Sequence, residues 1–585
     1  MEDILELVTG GVKLNYIHVA NAMNKLVKAA KRGPGEPAWK LEGIRLTQDP
    51  RFAQLIDLVR AHYPSIRARE GANVLHALGV LHADLGAAAV DKELAAQLAE
   101  FVAREAGNMN PQHVANSLNA LCKLEAVTAA VSPVGWKRLA EAVERTASET
   151  KPQEIANPLD ALSRLEVAAA AVPTSGWAGR AKAAERTVSE MNEQGIANSL
   201  NALSKLEAAA AAVSPTGWAG LAEGVERTAR KMNEQDVANT LNALCKLEAA
   251  AAAVPTTGWK RLAEAVERTA GAMKPQAVAN SLNALSKLEA AAAVVSHTGW
   301  AGLAAASERT AREMKPQEVA NSLNALSKLE AAAAAVSAPG WASLAEAAER
   351  MAREMNPLDV ANSLNALCKL EAAAAAVSPT GWAGLAEAAE RTAREMNPQG
   401  VANTLNALSK LEVAAAVVSP PGCAGLAEAV ERTASQMDEQ NVANTLNALC
   451  KLEAASAAVS PTGWAGLAEA AERTASEMNP QAVANTLNAL CKLEAAAEVV
   501  SPAGWKRLAE AVETTASETN EQGISNTLHA LGLLPLAAIE LSPSARKHLE
   551  AAAEREAPNM PSEGRWMTLW GCEKLKLKTP SAFLK

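Results

Sequence analysis

Apolar and polar residues recur with helical spacing along most of the chain. In the stretch VANTLNALSKLE, which begins at Val401, the aliphatic side chains fall on one side of a helical wheel. The polar side chains of Asn403, Asn406 and Lys410 fall on the other side. This pattern predicts an amphipathic helix, which we call helix A, with a buried leucine face and an open amide face.

A second amphipathic segment follows each helix A. The tetrapeptide SPPG interrupts the pattern, and helix B then follows as CAGLAEAVERTASQM. Both helices begin with a capping residue followed by proline, at Asn397-Pro398 and at Ser419-Pro420. Residues 397–437 are therefore predicted to form two helices of about 16–18 residues joined by short turns.

The helix pair repeats every 41 residues without insertion. A tryptophan at the start of helix B keeps this step over ten units, with one cysteine replacement: Trp136, Trp177, Trp218, Trp259, Trp300, Trp341, Trp382, Cys423, Trp464 and Trp505. A two-helix unit cannot bury its own apolar stripe, so copies must stack, and we expect the tryptophan to anchor the core. The chain is therefore predicted to be an all-α, right-handed α-solenoid of stacked two-helix repeats.

The two ends diverge from the repeat, as capping units do. Residues 1–109 are predicted to hold diverged capping repeats with an insertion, and residues 110–519 to hold ten regular helical-hairpin repeats. Residues 520–556 are predicted to be a C-terminal capping repeat. Residues 557–585 are predicted to be a basic tail, and the decayed pattern leaves disorder open there.

Charged residues on the outer face of helix B have opposite signs at a spacing of four. In one unit this set comprises Glu387, Glu390, Arg391, Arg394 and Glu395. We expect them to pair with one another along the helix and to form a solvated face.

The amide face carries two asparagines and one lysine in nearly every unit, and we call this series the amide ladder. Its members are Asn116, Asn119, Lys123, Asn157, Asn198, Asn201, Lys205, Asn239, Asn242, Lys246, Asn280, Asn283, Lys287, Asn321, Asn324, Lys328, Asn362, Asn365, Lys369, Asn403, Asn406, Lys410, Asn444, Asn447, Lys451, Asn485, Asn488 and Lys492. Stacking would place the stripes about 10 Å apart on the surface lined by helices A, which is usually the concave surface. Asparagine offers donors and acceptors without charge, so the ladder suits base edges or a peptide main chain. The alternative is that the amides bond between repeats or keep an Ala/Leu-rich helix soluble.

One position in the first turn of helix A varies while its neighbours stay constant. The polar residues found there are His113, Glu154, Asp236, Glu318, Asp359 and Asn441. A constant scaffold with a variable edge suits a protein that recognises one ligand unit per repeat, so these residues are candidate specificity determinants. Sequence drift at an exposed helix start is the alternative.

Composition narrows the class of protein. Aromatic residues make up only 3% of the chain, which favours packed helices over β-sheet. Cysteine exchanges with serine at one repeat position, so we expect reduced thiols and an intracellular protein.

The N-terminus MEDILELVTGG lacks the basic start of a secretory signal, and no apolar run reaches the ~20 residues of a membrane span. No nucleotide, dinucleotide or metal motif occurs, so we predict a non-enzymatic binding protein without cofactor, metal, membrane or small-molecule substrate.

The helix A core VANTLNALSKLE, followed by a turn such as SPTGW, resembles the octotricopeptide repeat over about residues 110–540. The fragment NALSK is also similar to the SKWP repeats of bacterial type III effectors. The octotricopeptide resemblance implies sequence-selective binding of single-stranded RNA, often in organelles. The residues to which this role carries over are those of helix A, such as Asn321, Asn324 and the variable Glu318.

Two functions remain as alternatives. The first is single-stranded RNA binding along the concave surface of helices A, with about one nucleotide per repeat. The second is a protein-interaction scaffold, or a secreted bacterial effector, that binds an extended peptide through the amide ladder. The net charge of -9 argues mildly against an avid polyanion binder. A positive strip of ladder lysines would favour RNA, and its cancellation by neighbours such as Glu330 and Glu412 would favour a protein partner.

Overall fold

The computed structural model describes residues 1–10, 13–30, 36–149 and 152–584, and these ranges contain α-helices and short 3₁₀ turns but no β-strand. The chain separates into two compact units, one of Met1–Ala272 with Lys287–Gly299 and one of Met273–Ser286 with Trp300–Lys585. Within each unit, the helices A of successive repeats pack side by side, and so do the helices B. The predicted fold class, an all-α solenoid of stacked helical repeats, is confirmed.

Each regular repeat contains three helices rather than the predicted two. In the repeat of residues 397–437, helix A is Pro398–Leu408, a short helix is Glu412–Ala415, and helix B is Pro420–Thr433. A 3₁₀ turn, Ala434–Gln436, then leads to the next repeat. The prediction was wrong about the length of helix A, because the alanine-rich run after the leucines belongs to a separate element.

Helix A ends early because a side chain satisfies its last turn. The hydroxyl of Ser409 donates to the main-chain carbonyl oxygen of Asn406 at 2.9 Å, so one acceptor that a helix end exposes is satisfied there. The next leucine, Leu411, has φ −106° and ψ 79°, which lies outside the helical region. The short helix starts directly after it.

The first unit begins with six α-helices that precede the regular repeats. Its N-terminal helices are Glu2–Thr9, Tyr16–Ala30, Glu36–Gln48, Pro50–His62, Ala68–Leu85 and Lys92–Arg104. Its regular helices A are Pro111–Lys123, Pro152–Leu162, Glu193–Leu203 and Glu234–Leu244. Its short helices are Glu125–Thr128, Glu166–Ala171, Glu207–Ala211, Glu248–Ala253 and Glu289–Ala292. Its helices B are Pro133–Thr146, Thr174–Thr187, Pro215–Thr228 and Thr256–Thr269. The predicted N-terminal insertion contains Glu36–Gln48, and residues 31–35 lie outside the described ranges.

The second unit continues the same order of elements, after the helix B His297–Thr310 that begins in the first unit. Its helices A are Pro275–Leu285, Pro316–Leu326, Pro357–Leu367, Pro398–Leu408, Glu439–Leu449, Pro480–Leu490 and Glu521–Leu533. Its short helices are Glu330–Ala334, Glu371–Ala376, Glu412–Ala415, Glu453–Ala458, Glu494–Glu498 and Pro535–Ile539. Its other helices B are Ala338–Met351, Pro379–Thr392, Pro420–Thr433, Pro461–Thr474, Pro502–Thr515 and Pro543–Glu556, and the last α-helix is Ser562–Leu575.

The repeated tryptophans anchor the core, as predicted. The nine side chains are between 3% and 8% exposed, and Cys423, which replaces one of them, is 9% exposed. Burial of a large aromatic side chain removes more apolar area from water than any other residue provides, so each tryptophan is a major source of packing energy in its repeat.

Charged residues of helix B pair between repeats, which corrects the prediction that they pair along the helix. Glu390 accepts hydrogen bonds from the main-chain N–H and the hydroxyl of Ser419, the capping residue of the next helix B. Arg391 donates to the carbonyl oxygen of Met355, which precedes its own repeat. The guanidinium of Arg394 lies 3.4 Å from the carboxylate of Glu428 in the next repeat. These contacts join each repeat to its neighbours.

The segment after Ala557 is helical, which corrects the predicted tail. Helix Ser562–Leu575 packs along the last helix A, Glu521–Leu533, and the side chains of Thr568 and Cys572 are fully buried. A Cβ added to Gly571 would lie 2.6 Å from the main chain of Leu528, so glycine permits this close approach. The segment therefore closes the second unit as a further helix A.

Candidate ligand-binding face

The amide ladder lies on the open side of the row of helices A. In the repeat of residues 397–437, Gln399 and Lys410 are exposed and Asn403 is half-exposed. Val401 and Leu405, on the opposite side of the same helix, are fully buried. The predicted separation of a leucine face and an amide face is therefore present in the structure.

The two asparagines of a pair sit at different depths in three repeats. The first asparagine is half-exposed in most repeats, and Asn157 is exposed. The second asparagine is buried in three repeats, with exposed fractions of 7% for Asn201, 8% for Asn324 and 9% for Asn406, and is half-exposed in the other six that have it. We call the first asparagines the shallow row and the three buried second asparagines the deep row.

The ladder amides make no hydrogen bond to protein groups in the part of the chain that the structure describes. The side-chain bonds of helix A involve its capping residues, such as Asn397 bonding the N–H of Gly400, and its last-turn Ser or Cys. The Oδ1 atom of Asn119 is buried and has no partner at all. An unpaired buried amide is costly, so these groups need water or a ligand. The alternative of amide bonds between repeats is therefore not what holds this stack together.

The ladder lysines extend the open face as a row of cations. In the regular repeats they follow the end of helix A, except Lys123, which is the last residue of its helix, instead of lying within a longer helix as the helical wheel assumed. Seven of them make no ion pair in the described ranges: Lys205, Lys246, Lys287, Lys369, Lys410, Lys451 and Lys492.

The ladder lysines act electrostatically on the cysteine thiols that precede them in the sequence. Burial raises the pKa of the Cys368 thiol, and the charges opposing that rise belong to Lys369 and Lys410. In the first unit, burial likewise raises the pKa of Cys245, opposed by Lys287 and Lys246. Cys245 and Cys368 therefore sense the lysine of their own repeat and that of the next, whereas Asp160 and Glu125 also act on Cys122.

The cysteines of this row are free thiols, as predicted. The Sγ of Cys245 donates to the carbonyl oxygen of Asn242 at 3.2 Å, in the way that Ser204 donates to Asn201. Because thiol and hydroxyl perform the same capping bond, the exchange of Cys and Ser along the repeats is explained by this end of helix A.

The repeat of residues 151–191 departs from the ladder. Asp160 stands where other repeats have the second asparagine, and Arg164 stands where they have lysine. The two side chains form an ion pair at 3.1 Å. Pro158, inside helix Pro152–Leu162, replaces the buried Ser or Thr of the other repeats. This repeat therefore lacks the second amide of the ladder, and its cation is paired within the repeat, although Asn157 remains exposed.

Polar clefts open between the first turns of successive helices A. One cleft of about 370 Å³ is lined by the ladder residue Asn485, its counterpart Asn526, and the glutamines Gln481 and Gln522. These glutamines were not among the predicted site residues. The recurrent Pro-Gln or Glu-Gln at the start of helix A marks these glutamines in the sequence, but that pattern is typical of a helix start and does not by itself indicate a binding residue.

The variable position is a helix-capping position in several repeats. Asp236 and Asp359 are each 4% exposed and Asn441 is 8% exposed, so little of each side chain is accessible to a ligand. The carboxylate of Asp236 instead accepts the main-chain N–H of Asn233 in a capping box. Burial raises the pKa of Asp236 and Asp359.

Other members of the variable set have different surroundings. Glu318 also accepts the main-chain N–H of Lys315 at 2.9 Å, but it is half-exposed and lines a cleft of about 340 Å³ that Asp359 also lines. His113 is also half-exposed, and burial together with Arg69 lowers its pKa. The side chain of Glu154 lies outside the described residues.

The described ranges contain neither a membrane-spanning helix nor a metal-binding cluster. No helix there is both long and apolar enough to cross a membrane. No group of three or more His, Cys, Asp or Glu side chains in those ranges converges in a way that could hold a metal ion.

A family model described as a protein of unknown function, DUF1601, matches nine segments of the chain. These are residues 91–118, 137–159, 221–241, 260–282, 303–323, 384–405, 425–446, 466–487 and 506–528. Most begin in a helix B and end in the following helix A, so the match describes the repeat. Together the segments cover less than half of the chain. No curated protein sequence matches the chain.

Solved structures of helical-repeat proteins align with most of the chain at low similarity. Yeast Rmd9p in complex with a 16nt target RNA is 12% identical, with a TM-score of 0.28 over 95% of this chain and 96% of that chain. She4p is 11% identical, with a TM-score of 0.34 over 98% and 91% of the chains. The karyopherin Kap121p, bound to the extreme C-terminus of the phosphatase Cdc14p, is 9% identical, with a TM-score of 0.25 over 97% and 76%. At these values the likeness carries no functional argument. The fold and the open face define this chain as a helical-repeat protein.

Proposed function

We propose that this helical-repeat protein binds single-stranded RNA along the open face of its helices A, with about one nucleotide per repeat. The observation that carries the proposal is a series of amides without protein hydrogen bonds, next to lysines without ion pairs. Asparagine can donate to and accept from a base edge at once, and lysine can neutralise a phosphate. The two kinds of side chain together match the two parts of a nucleotide.

The charge on the open face favours RNA over a peptide main chain. Glu412 follows Lys410 by two residues, but it lies in the first turn of the short helix and forms no ion pair with that lysine. Lysines oppose the raised pKa of Cys368 and Cys450, and no carboxylate is among the charges acting on either thiol. The ladder lysines beside these two cysteines therefore keep their positive charge although the whole chain is acidic. A neutral peptide main chain carries no negative charge that these lysines could neutralise.

The recognition of bases would fall mainly to the shallow row. Asn403 and its counterparts are half-exposed and can reach a ligand without rearrangement of the helix. The deep row, represented by Asn406, would act on groups that enter between the helices A. In the first unit, the repeat with Asp160 and Arg164 would contribute less, because its side chains already satisfy each other.

The proposal is tested by selecting ligands from a random single-stranded RNA pool with the full chain and measuring their affinity. The test variant carries Asn403→Ala, Asn444→Ala and Asn485→Ala. Because these amides bond no protein group, the variant should stay folded. Loss of three base contacts should weaken binding of the selected RNA by about tenfold or more.

A matched control removes polar groups from the other side of the same repeats. It carries Ser435→Ala, Ser476→Ala and Ser517→Ala, which are exposed residues in the 3₁₀ turns after helix B. We expect this control to bind the selected RNA as the unchanged chain does. No enriched sequence, or equal binding by both triple variants, would reject RNA recognition by the ladder. If an extended-peptide library is retained instead, and the asparagine variant releases it, the partner is a peptide.

A further inference from the structure

One repeat lacks the core tryptophan that anchors the others. Cys423 stands at the position of Trp382 in the preceding repeat and of Trp464 in the next. The surrounding backbone is unchanged, because helix B runs over the same 14 residues in all three repeats. A small side chain thus occupies a site built for an indole ring.

The missing ring leaves an open pocket in the second unit. Its volume is about 370 Å³, and Cys423 is on its wall. Leu408 and Leu426, which are 2% and 1% exposed, form apolar walls, and Ala455 of the next repeat is also buried there. Large-to-small replacement in a core leaves a cavity when the neighbours do not collapse into it, and here they have not done so.

The rim of the pocket is polar and open to solvent. Glu412, Lys451 and Glu453 line the entrance and are all exposed. An apolar interior with a few charged groups at its mouth is the usual construction of a small-molecule site, and its volume falls in the usual range of about 300–1,000 Å³.

Other substitutions in the same repeat make its surroundings more apolar. Val413 and Val417 replace Ala372 and Ala376 of the preceding repeat, and their side chains are 58% and 43% exposed. Both belong to the short segment that contributes Glu412, Ala415 and Ala416 to the pocket wall. The apolar surface beside the pocket is therefore larger than in the preceding repeat, although exposed valines also occur at these positions in repeats that keep the tryptophan, as Val167 and Val499.

The thiol of Cys423 is compatible with an apolar ligand in the pocket. Burial, together with the negative charge of Glu390, raises the pKa of Cys423. The side chain is therefore the neutral thiol near pH 7 and behaves as a small apolar group.

We infer that this pocket binds a small planar aromatic molecule of about the size of indole, which takes the place of the missing tryptophan side chain. The inference rests on the shape shared with the tryptophan repeats and on the apolar walls. A cavity made by removing a large apolar side chain can bind an aromatic molecule in the same manner. The site uses none of the ladder amides, although the ladder lysine Lys451 lies on its rim.

Indole itself is the probe for this site. Calorimetric titration of the full chain with indole should show saturable binding of one molecule per chain. The variant Cys423→Trp fills the pocket from within and should lose at least about tenfold in affinity. The variant Cys423→Ala keeps the space and should bind indole within about threefold of the unchanged chain.

Thermal unfolding separates pocket filling from misfolding. Cys423→Trp should raise the melting temperature, because it restores the residue used by nine other repeats. A lower melting temperature would show that the pocket does not have the shape of an indole ring and would overturn the inference. So would absent binding of indole, or equal binding by Cys423→Trp. Binding of N-acetyltryptophanamide without binding of indole would assign the pocket to a partner's side chain and would equally overturn it.

Discussion

The guanidinium of Arg432 donates a hydrogen bond to the main-chain carbonyl oxygen of Met396, at 2.7 Å and across 36 residues. The arginine lies at the end of a helix B, and the carbonyl lies in the turn that follows the previous helix B. The same bond joins the following pairs: Arg145 and Met109, Arg227 and Met191, Arg268 and Met232, Arg309 and Met273, Arg391 and Met355, Arg473 and Met437. A polar link between successive repeats therefore recurs along both units beside the apolar core.

Replacing Arg432 by leucine should destabilise the second unit by about 1–3 kcal/mol. The change removes a charge-assisted hydrogen bond and leaves a part-buried carbonyl oxygen without its partner. The midpoint of urea unfolding measures the effect. The control is Arg394→Leu, which breaks the exposed ion pair with Glu428 and should cost only about 0–1 kcal/mol. Equal losses in the two variants would show that the link from Arg432 adds no stability.

Replacing Pro158 by serine should stabilise the first unit. Pro158 lies inside helix Pro152–Leu162, where it cannot donate the main-chain hydrogen bond of an α-helix. The corresponding Ser199 is fully buried in the next repeat, so serine fits this position. An interior proline costs about 3 kcal/mol, and we expect a gain of roughly 1–3 kcal/mol. Hydrogen exchange of residues 155–162 should slow accordingly.

The reverse change provides the control for this position. Ser199→Pro should destabilise helix Glu193–Leu203 and speed hydrogen exchange there. If Pro158→Ser leaves exchange unchanged, the proline is already accommodated by a distorted turn and the expected gain is wrong.

Replacing Asp359 by asparagine should stabilise the protein at neutral pH and have no such effect in acid. Burial raises the pKa of Asp359 above its ordinary value of 3.8, so the folded state holds this proton more tightly than the unfolded state. Its contribution to stability is therefore greatest below about pH 3.8 and is lost as pH rises through the folded-state pKa. Asn441 shows that asparagine fits the position.

Urea unfolding as a function of pH measures this difference. At pH 7 we expect Asp359→Asn to be more stable by about 1 kcal/mol. The two curves should converge as pH falls towards the ordinary pKa of aspartate. A constant difference at all pH values would mean that the asparagine acts through packing or capping and not through charge.

The sequence predicted the repeat, the leucine face and the core tryptophans because each depends on spacing within one helix. It did not predict the end of helix A at Leu408, since no Gly or Pro marks the break. The break depends on the hydroxyl of Ser409 and on the conformation of Leu411, and neither leaves a trace in the hydrophobic pattern.

The contacts between repeats also could not be predicted from the sequence. Glu390 and Arg391 are spaced for pairs along a helix, yet both reach a neighbouring repeat. The burial of Asp236 could not be predicted either, because it is set by the stacking of adjacent helices and not by the pattern of its own helix. In contrast, the shallow amides such as Asn403 lie where the helical wheel placed them.

Removing three ladder lysines should lower the salt dependence of RNA binding. The variant carries Lys410→Gln, Lys451→Gln and Lys492→Gln, which are exposed lysines without ion pairs in the described part of the second unit. Each phosphate contact on a single strand contributes about 0.7 to the slope of log affinity against log salt concentration. The slope should therefore fall by about 2, measured by fluorescence anisotropy with one selected RNA. The matched control, Arg312→Gln with Arg353→Gln and Arg394→Gln, removes the same charge from the helix B side and should leave the slope nearly unchanged. Equal slopes for the two triple variants would mean that the lysines act only through the overall charge of the protein, and that no phosphate lies on the open face.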